Sequence, residues 1–124
     1  VRVGTAGKRV DLLIRQGATF AIELRAVTPA GEPKPIAGYT VRSQIRKMPS
    51  SPVSVASLSA IVTNAPGGVF TLYMTAAQTA ALVAGETADS AASRYAWDVE
   101  IESPSGFVSP VAWGTVQVHP EVTR

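Results

Sequence analysis

The sequence predicts an all-β fold: an antiparallel β-sandwich of about seven strands with one short helix. Three observations lead there. Apolar and polar side chains alternate in several short runs, the period of a half-buried strand. Clusters of Gly, Pro, Asn and Ser separate these runs at intervals of roughly 8–12 residues. A helical pattern occurs once, over residues 75–84, so a train of βαβ units is not expected.

Residues 1–8 include Gly4 and Gly7 and few large apolar groups. They read as a flexible N-terminal arm, loose unless a neighbour orders it. A strand follows at 10–15 (VDLLIR), broken by Gln16-Gly17. Residues 19–28 alternate, with Phe20, Ile22, Leu24 and Ala26 on one face. PAGEPKP (29–35) is a turn, because its prolines cannot donate to a ladder. The next strand, 39–47, turns Val41, Ser43 and Ile45 inward and Arg42, Gln44 and Arg46 outward. Residues 53–63 are β-prone but small, which predicts a weak strand or one near an edge. NAPGG (64–68) is a turn, and Phe70, Leu72 and Met74 then share a face.

The helix is expected over 75–84, about two to three turns. Thr75 and Gln78 have capping-box spacing, and Gly85 stands where a C-cap belongs. After a small-residue loop at 85–93, strand 94–102 is the best patterned. Tyr95, Trp97, Val99 and Ile101 point inward, against Arg94, Asp98, Glu100 and Glu102 outward. PSG (104–106) is a hairpin turn. The last strand, 107–119, changes phase near Gly114, which predicts a bulge. The domain therefore spans 9–119, with a C-terminal tail at 120–124.

At 124 residues and 46% apolar content the chain makes one domain with its own core. Its net charge of +2 is a small excess of scattered cations. No run of like charge supports a nucleic-acid tail or a polybasic membrane patch. There is no cysteine, which removes disulfides and thiolate metal sites and fits folding in a reducing cytosol. The N-terminus has no apolar signal-peptide core, and no run reaches the roughly 18 apolar residues of a membrane span.

Catalytic chemistry finds little purchase. The single histidine, His119, cannot assemble a zinc site within this chain, and it reads as a surface residue after the last strand. No D-x-D-x-D loop marks a calcium site, and Glu86 with Asp89 is a weak substitute. There is no G-x-S-x-G elbow. GTAG at 4–7 lacks the ending of a phosphate loop. Asp98, Glu100 and Glu102 form one row on a strand face. A hydrolase acid/base pair is one reading of it; the plainer reading is a solvated face paired with Arg42 and Arg46 on a neighbouring strand, at about 0.2–1 kcal/mol per pair. Tyr95 and Trp97 belong to the core. Trp113 is buried in one reading, but the phase shift can turn it outward, and an outward Trp is a characteristic contact residue.

Five segments in order carry a resemblance: DLLIRQGATFAIELR (11–25), GYTVRSQIRK (38–47), GGVFTLYMTAAQTAAL (67–82), RYAWDVEIESPSG (94–106) and GTVQVHPEVTR (114–124). Together they resemble small virion proteins of tailed bacteriophages, specifically the N-terminal β-sandwich module of siphophage upper baseplate proteins. The loop at 85–93 is longer than that pattern. The resemblance implies an immunoglobulin-like sandwich and a non-enzymatic structural role, with no catalytic residue or cofactor to transfer. It implies a virion location after synthesis in the host bacterial cytoplasm. The partners would be other phage structural proteins of the tail, baseplate, neck or capsid, met in a symmetric multi-copy assembly, with neither nucleic acid nor membrane. Position makes Arg2, Val3 and Lys8 on the arm, Trp113 near the bulge, and Glu121, Val122 and Arg124 on the tail the interface candidates. The alternatives are a capsid decoration protein and, in another class, a carbohydrate-binding module or small hydrolase. A sugar platform would have to come from Trp113, Phe107 or Tyr73.

Overall fold

The computed structural model describes residues 2–4, 7–48, 50, 54–82 and 93–120. Within them the chain is all-β. Its strands are β1 (Arg2–Gly4), β2 (Lys8–Arg9), β3 (Leu12–Arg15), β4 (Phe20–Val27), β5 (Thr40–Arg46), β6 (Ala56–Asn64), β7 (Val69–Met74), β8 (Ser93–Glu102) and β9 (Val108–His119), with α1 (Ala76–Ala80) between β7 and β8. They form one curled sheet in the order β1-β4-β7-β6-β5-β8-β9-β2, and β3 also lies on β9.

Nine strands replace the expected seven because the N-terminal segment adds two. β1 pairs with β4 at one edge, and β2 and β3 pair with β9 at the other. All three ladders are parallel, so the purely antiparallel expectation is corrected at the edges. Strands of two and three residues are too short to display a period, so the sequence pattern could not announce them.

The inward faces fall as the alternation predicts. Leu24, Phe70, Leu72 and Met74 on β4 and β7 join Trp97, Val99, Ile101, Val116 and Val118 on β8 and β9 in one buried cluster. Each fully buried Val, Leu, Ile, Phe or Met side chain contributes roughly 1.5–3 kcal/mol. Ile36 is also buried, although it stands alone in the proline-rich loop. Its backbone N–H donates to the Ala65 carbonyl at 2.9 Å, which ties that loop to the turn before β7.

Three further expectations are corrected. β6 is no edge strand. It pairs with β5 through Ala56–Leu58 and with β7 through Ser59–Asn64, so it joins the two halves of the sheet. Its weak pattern has a physical cause: a strand that changes partners half-way buries neither face continuously, and only Leu58 is fully inside. The helix is shorter than the run of good helix formers. Thr75 and Gln78 do form the capping box, but the C-cap is Ala81, and Gly85 lies outside the described residues. The bulge in β9 comes earlier than Gly114. Val99 pairs with Ala112 and Glu100 with Pro110, so Val111 is the extra residue. Val111 and Ala112 are both buried in succession, which is the phase change itself.

Gly114 is required for space. A Cβ there would collide with the backbone carbonyl of Val10, whose N–H donates to the Trp113 carbonyl at 2.8 Å. Trp97 meets the same residue from below: its indole N–H donates to the Val10 carbonyl at 2.8 Å. The sharp approach of the N-terminal segment to β9 thus rests on one missing side chain and one buried indole.

Candidate functional site

The outward side chains of β5, β8 and β9 make a grid. Its rows follow from the registers: Arg42–Glu100–Pro110, then Gln44–Asp98–Trp113, then Arg46–Ala96–Thr115. The bulge at Val111 sets this alignment, because it returns Trp113 to the outer face. Trp113 is 47% exposed. β2 extends the central row, since Arg9 pairs with Trp113 and its guanidinium carbon lies 5.7 Å from the ring centroid. That is cation–π range.

The acidic and basic rows are neighbours, as the sequence predicts. Arg42 reaches Glu102 at 3.3 Å and Glu100 at 3.7 Å. Arg46 donates to the side-chain oxygen of Gln44 at 2.9 Å. These pairs are solvated, so each contributes little to stability. Asp98, at the centre of the grid, differs. Among the described residues no hydrogen bond or ion pair reaches its carboxylate. Partial desolvation lifts its pKa, and repulsion from Glu100 adds to this, with Arg46 opposing. Its backbone carbonyl is engaged from the other side by the buried Ser43 hydroxyl at 2.7 Å.

Asp11 has the opposite character. Regular pairing with β9 stops at Arg9 and resumes at Leu12; Val10 still donates to the Trp113 carbonyl, and the Asp11 carboxylate supplies the next contact. It accepts from the Thr115 N–H at 3.0 Å, the Thr115 hydroxyl at 3.1 Å and the Arg9 guanidinium at 3.2 Å. The backbone hydrogen bond is the main reason its pKa is lowered.

Two hollows flank Trp113. One, of about 500 Å³, is walled by Trp113, Asp98, Glu100, Gln44 and Arg46, with Ala96, Trp97 and Gly114 completing its lining. The other, about 330 Å³ and shallower, lies among Arg9, Lys47, Met48, Tyr95, Thr115 and Trp113. Ala96, small and outward on β8, borders both.

Of the sequence-predicted candidates, Lys8, exposed on β2, pairs with Ala112, one residue from Trp113 but, by strand alternation, on the opposite face. Arg2 and Val3 lie at the far edge, paired with Arg25 and Ala26 of β4. Glu121, Val122 and Arg124 lie outside the described residues, as do Glu86 and Asp89. Arg9, Gln44 and Ala96 were missed as site residues. Their signal in the sequence is faint: a small residue on β8 and another after Trp113, with long polar side chains in step on the neighbouring strand. Among the described residues no group of three or more His, Cys, Asp or Glu side chains is placed to hold a metal ion, and no helix is long and apolar enough to cross a membrane.

No protein-family model matches the chain. No curated protein matches it either. Among solved structures, an internalin-like protein of Listeria monocytogenes is similar at a TM-score of 0.41 and 17% identity, over 96% of this chain. This chain spans 28% of the length of that one.

Proposed function

We propose that this chain is a non-enzymatic structural component of a tailed phage particle, which docks by protein–protein contacts on the tail, baseplate or neck. The observation that carries the docking reading is the patch of Trp113, Arg9, Met48 and Lys47 on the outer face. Met48 is 62% exposed beside the half-exposed Trp113. Trp, Met and Arg are the residue types enriched where proteins meet. The particle assignment rests on the five sequence segments quoted above.

The fold we infer is an immunoglobulin-like sandwich. The order β1-β4-β7-β6 followed by β5-β8-β9 fits an ABED sheet facing a CFG sheet, with β6 reaching across to β5. Several copies arranged symmetrically would suit a module of this size in a particle.

Immunogold electron microscopy of purified particles, with an antibody against this chain, tests the reading. Label at the tail end or neck supports it. Label spread over the head would instead make the chain a capsid decoration protein. Antigen found only in the lysate sinks the virion assignment.

A further inference from the structure

The geometry points to a saccharide site: the groove walled by Trp113, Asp98, Gln44 and Arg46 takes a neutral, hydroxyl-rich oligosaccharide. This inference does not depend on the particle reading.

Size is the first argument. The groove encloses about 500 Å³, inside the range of about 300–1,000 Å³ typical of small-ligand sites. Ala96, outward on β8, is small and leaves room beside the indole where a larger side chain would fill it.

Chemistry is the second. A sugar ring presents two kinds of surface: a patch of C–H bonds and a rim of hydroxyls. The half-exposed Trp113 offers a ring whose negative π face attracts polarised C–H groups. Across the groove stand planar polar groups with hydrogen-bonding capacity to spare. The Asp98 carboxylate accepts no hydrogen bond from the described residues, and it can accept from hydroxyls. Gln44 uses its oxygen for Arg46, which leaves its amide NH₂ directed to donation. Donor and acceptor then stand side by side, the arrangement that vicinal hydroxyls satisfy in both senses.

Charge is the third argument, and it selects a neutral ligand. The cations of this face, Arg9, Arg42 and Arg46, stand among the carboxylates of Asp11, Asp98 and Glu100. Arg42 is drawn to Glu100 and Glu102 and Arg9 to Asp11. No single-sign field remains to focus an ionic ligand. An anion would meet Asp98 and Glu100, and a cation would meet Arg46.

The test is a titration of the full chain, labelled with ¹⁵N, with maltotriose, cellotriose, mannotriose and triacetylchitotriose at concentrations into the millimolar range. The two indole N–H signals report the half-exposed Trp113 and the buried Trp97 separately. Trp113 is expected to shift and saturate with at least one of the four sugars. Trp97 also borders the groove, but its N–H is held by the Val10 carbonyl and should shift less than that of Trp113. Asp98→Ala and Gln44→Ala should each weaken binding about tenfold or more, equivalent to about 1.4 kcal/mol, with the thermal midpoint as the check on folding. Met48→Ser, in the neighbouring hollow, should leave sugar binding intact. If none of the four sugars gives a saturable Trp113 shift, the inference fails. It fails equally if a glutamate hexapeptide shifts Trp113 where the sugars do not, or if binding survives in Trp113→Ala.

Discussion

Asp11 and Asp98 lie on one face of one sheet and titrate in opposite directions. Asp11 sits against the Thr115 N–H and the Arg9 guanidinium, which favour its charged form. Asp98 is partly desolvated beside Glu100, and both effects disfavour its charged form. The consequences for stability have opposite signs. The contribution of Asp11 is complete above the ordinary carboxylate value of 3.8 and is lost as the pH falls through its lower folded-state pKa. Ionised Asp98 carries a penalty that is absent below 3.8 and complete above its raised folded-state pKa. Asp11→Asn should therefore lower the thermal midpoint at pH 7, and Asp98→Asn should raise it. The Asp98 difference should shrink as the pH falls through its raised pKa towards 3.8, and the Asp11 difference as the pH falls from 3.8 through its lowered pKa. Melting curves at neutral and acid pH check this, and an Asp98→Asn protein less stable than the parent at pH 7 would contradict the assigned environment. At this scale the sequence showed the carboxylate row on β8, because spacing of two puts its members on one face. It could not show which carboxylate receives no hydrogen bond from the described residues. That depends on the residue opposite, and Gln44 rather than Arg42 faces Asp98.

The helix illustrates how an element survives below its own stable length. A five-residue helix is far shorter than any that persists in water alone, so α1 must be held by what surrounds it. The capping box satisfies two of its first N–H groups. Thr79 provides the tether. It is fully buried, its hydroxyl donates to the Ala18 carbonyl at 2.8 Å, and it accepts from the Gly17 N–H at 3.0 Å. Gln16 adds a bond to the Leu82 carbonyl at 2.8 Å. The turn between β3 and β4 and the helix therefore order each other. Thr79→Val keeps the shape but strands the Gly17 N–H and the Ala18 carbonyl, at a cost of about 1–3 kcal/mol. Urea unfolding would read this as a lower midpoint with an unchanged slope. The start of the helix was legible, because a capping box is a local signal. Its end was not, because the last turn is set by the docking of Leu82 and not by a glycine.

Across the whole molecule, the N-terminal segment closes the fold. Leu12 and Ile14 are buried while Leu13 is 48% exposed, so β3 alternates like any core strand although it lies at an edge. Ile14→Ala should cost about 2–5 kcal/mol, and Leu13→Ala should stay within about 0.5 kcal/mol. Equal effects in denaturant titrations would place β3 outside the core. The long antiparallel strands were readable because each carries enough alternation to name its inner face: Tyr95, Trp97, Val99 and Ile101 are all buried as expected. The pairing partners of short or ambiguous segments were not readable. Parallel edge ladders, the change of partner in β6 and the burial of Ile36 are settled by contacts distant in sequence. The outward turn of Trp113 is of the same kind, since it depends on one extra residue at Val111.

The parallel ladder of β3 on β9, with Leu12 beside Val116 and Arg15 beside His119, has a mechanical meaning. Two strands running the same way are entered at one end and left at the other. Traction applied to the chain ahead of β3 and behind β9 therefore slides the pair lengthwise. Their hydrogen bonds carry the load together and do not unzip one at a time. The buried Leu12 and Ile14 would have to be dragged across the core in the same step. Pulled from these two sides, the domain should yield late and all at once.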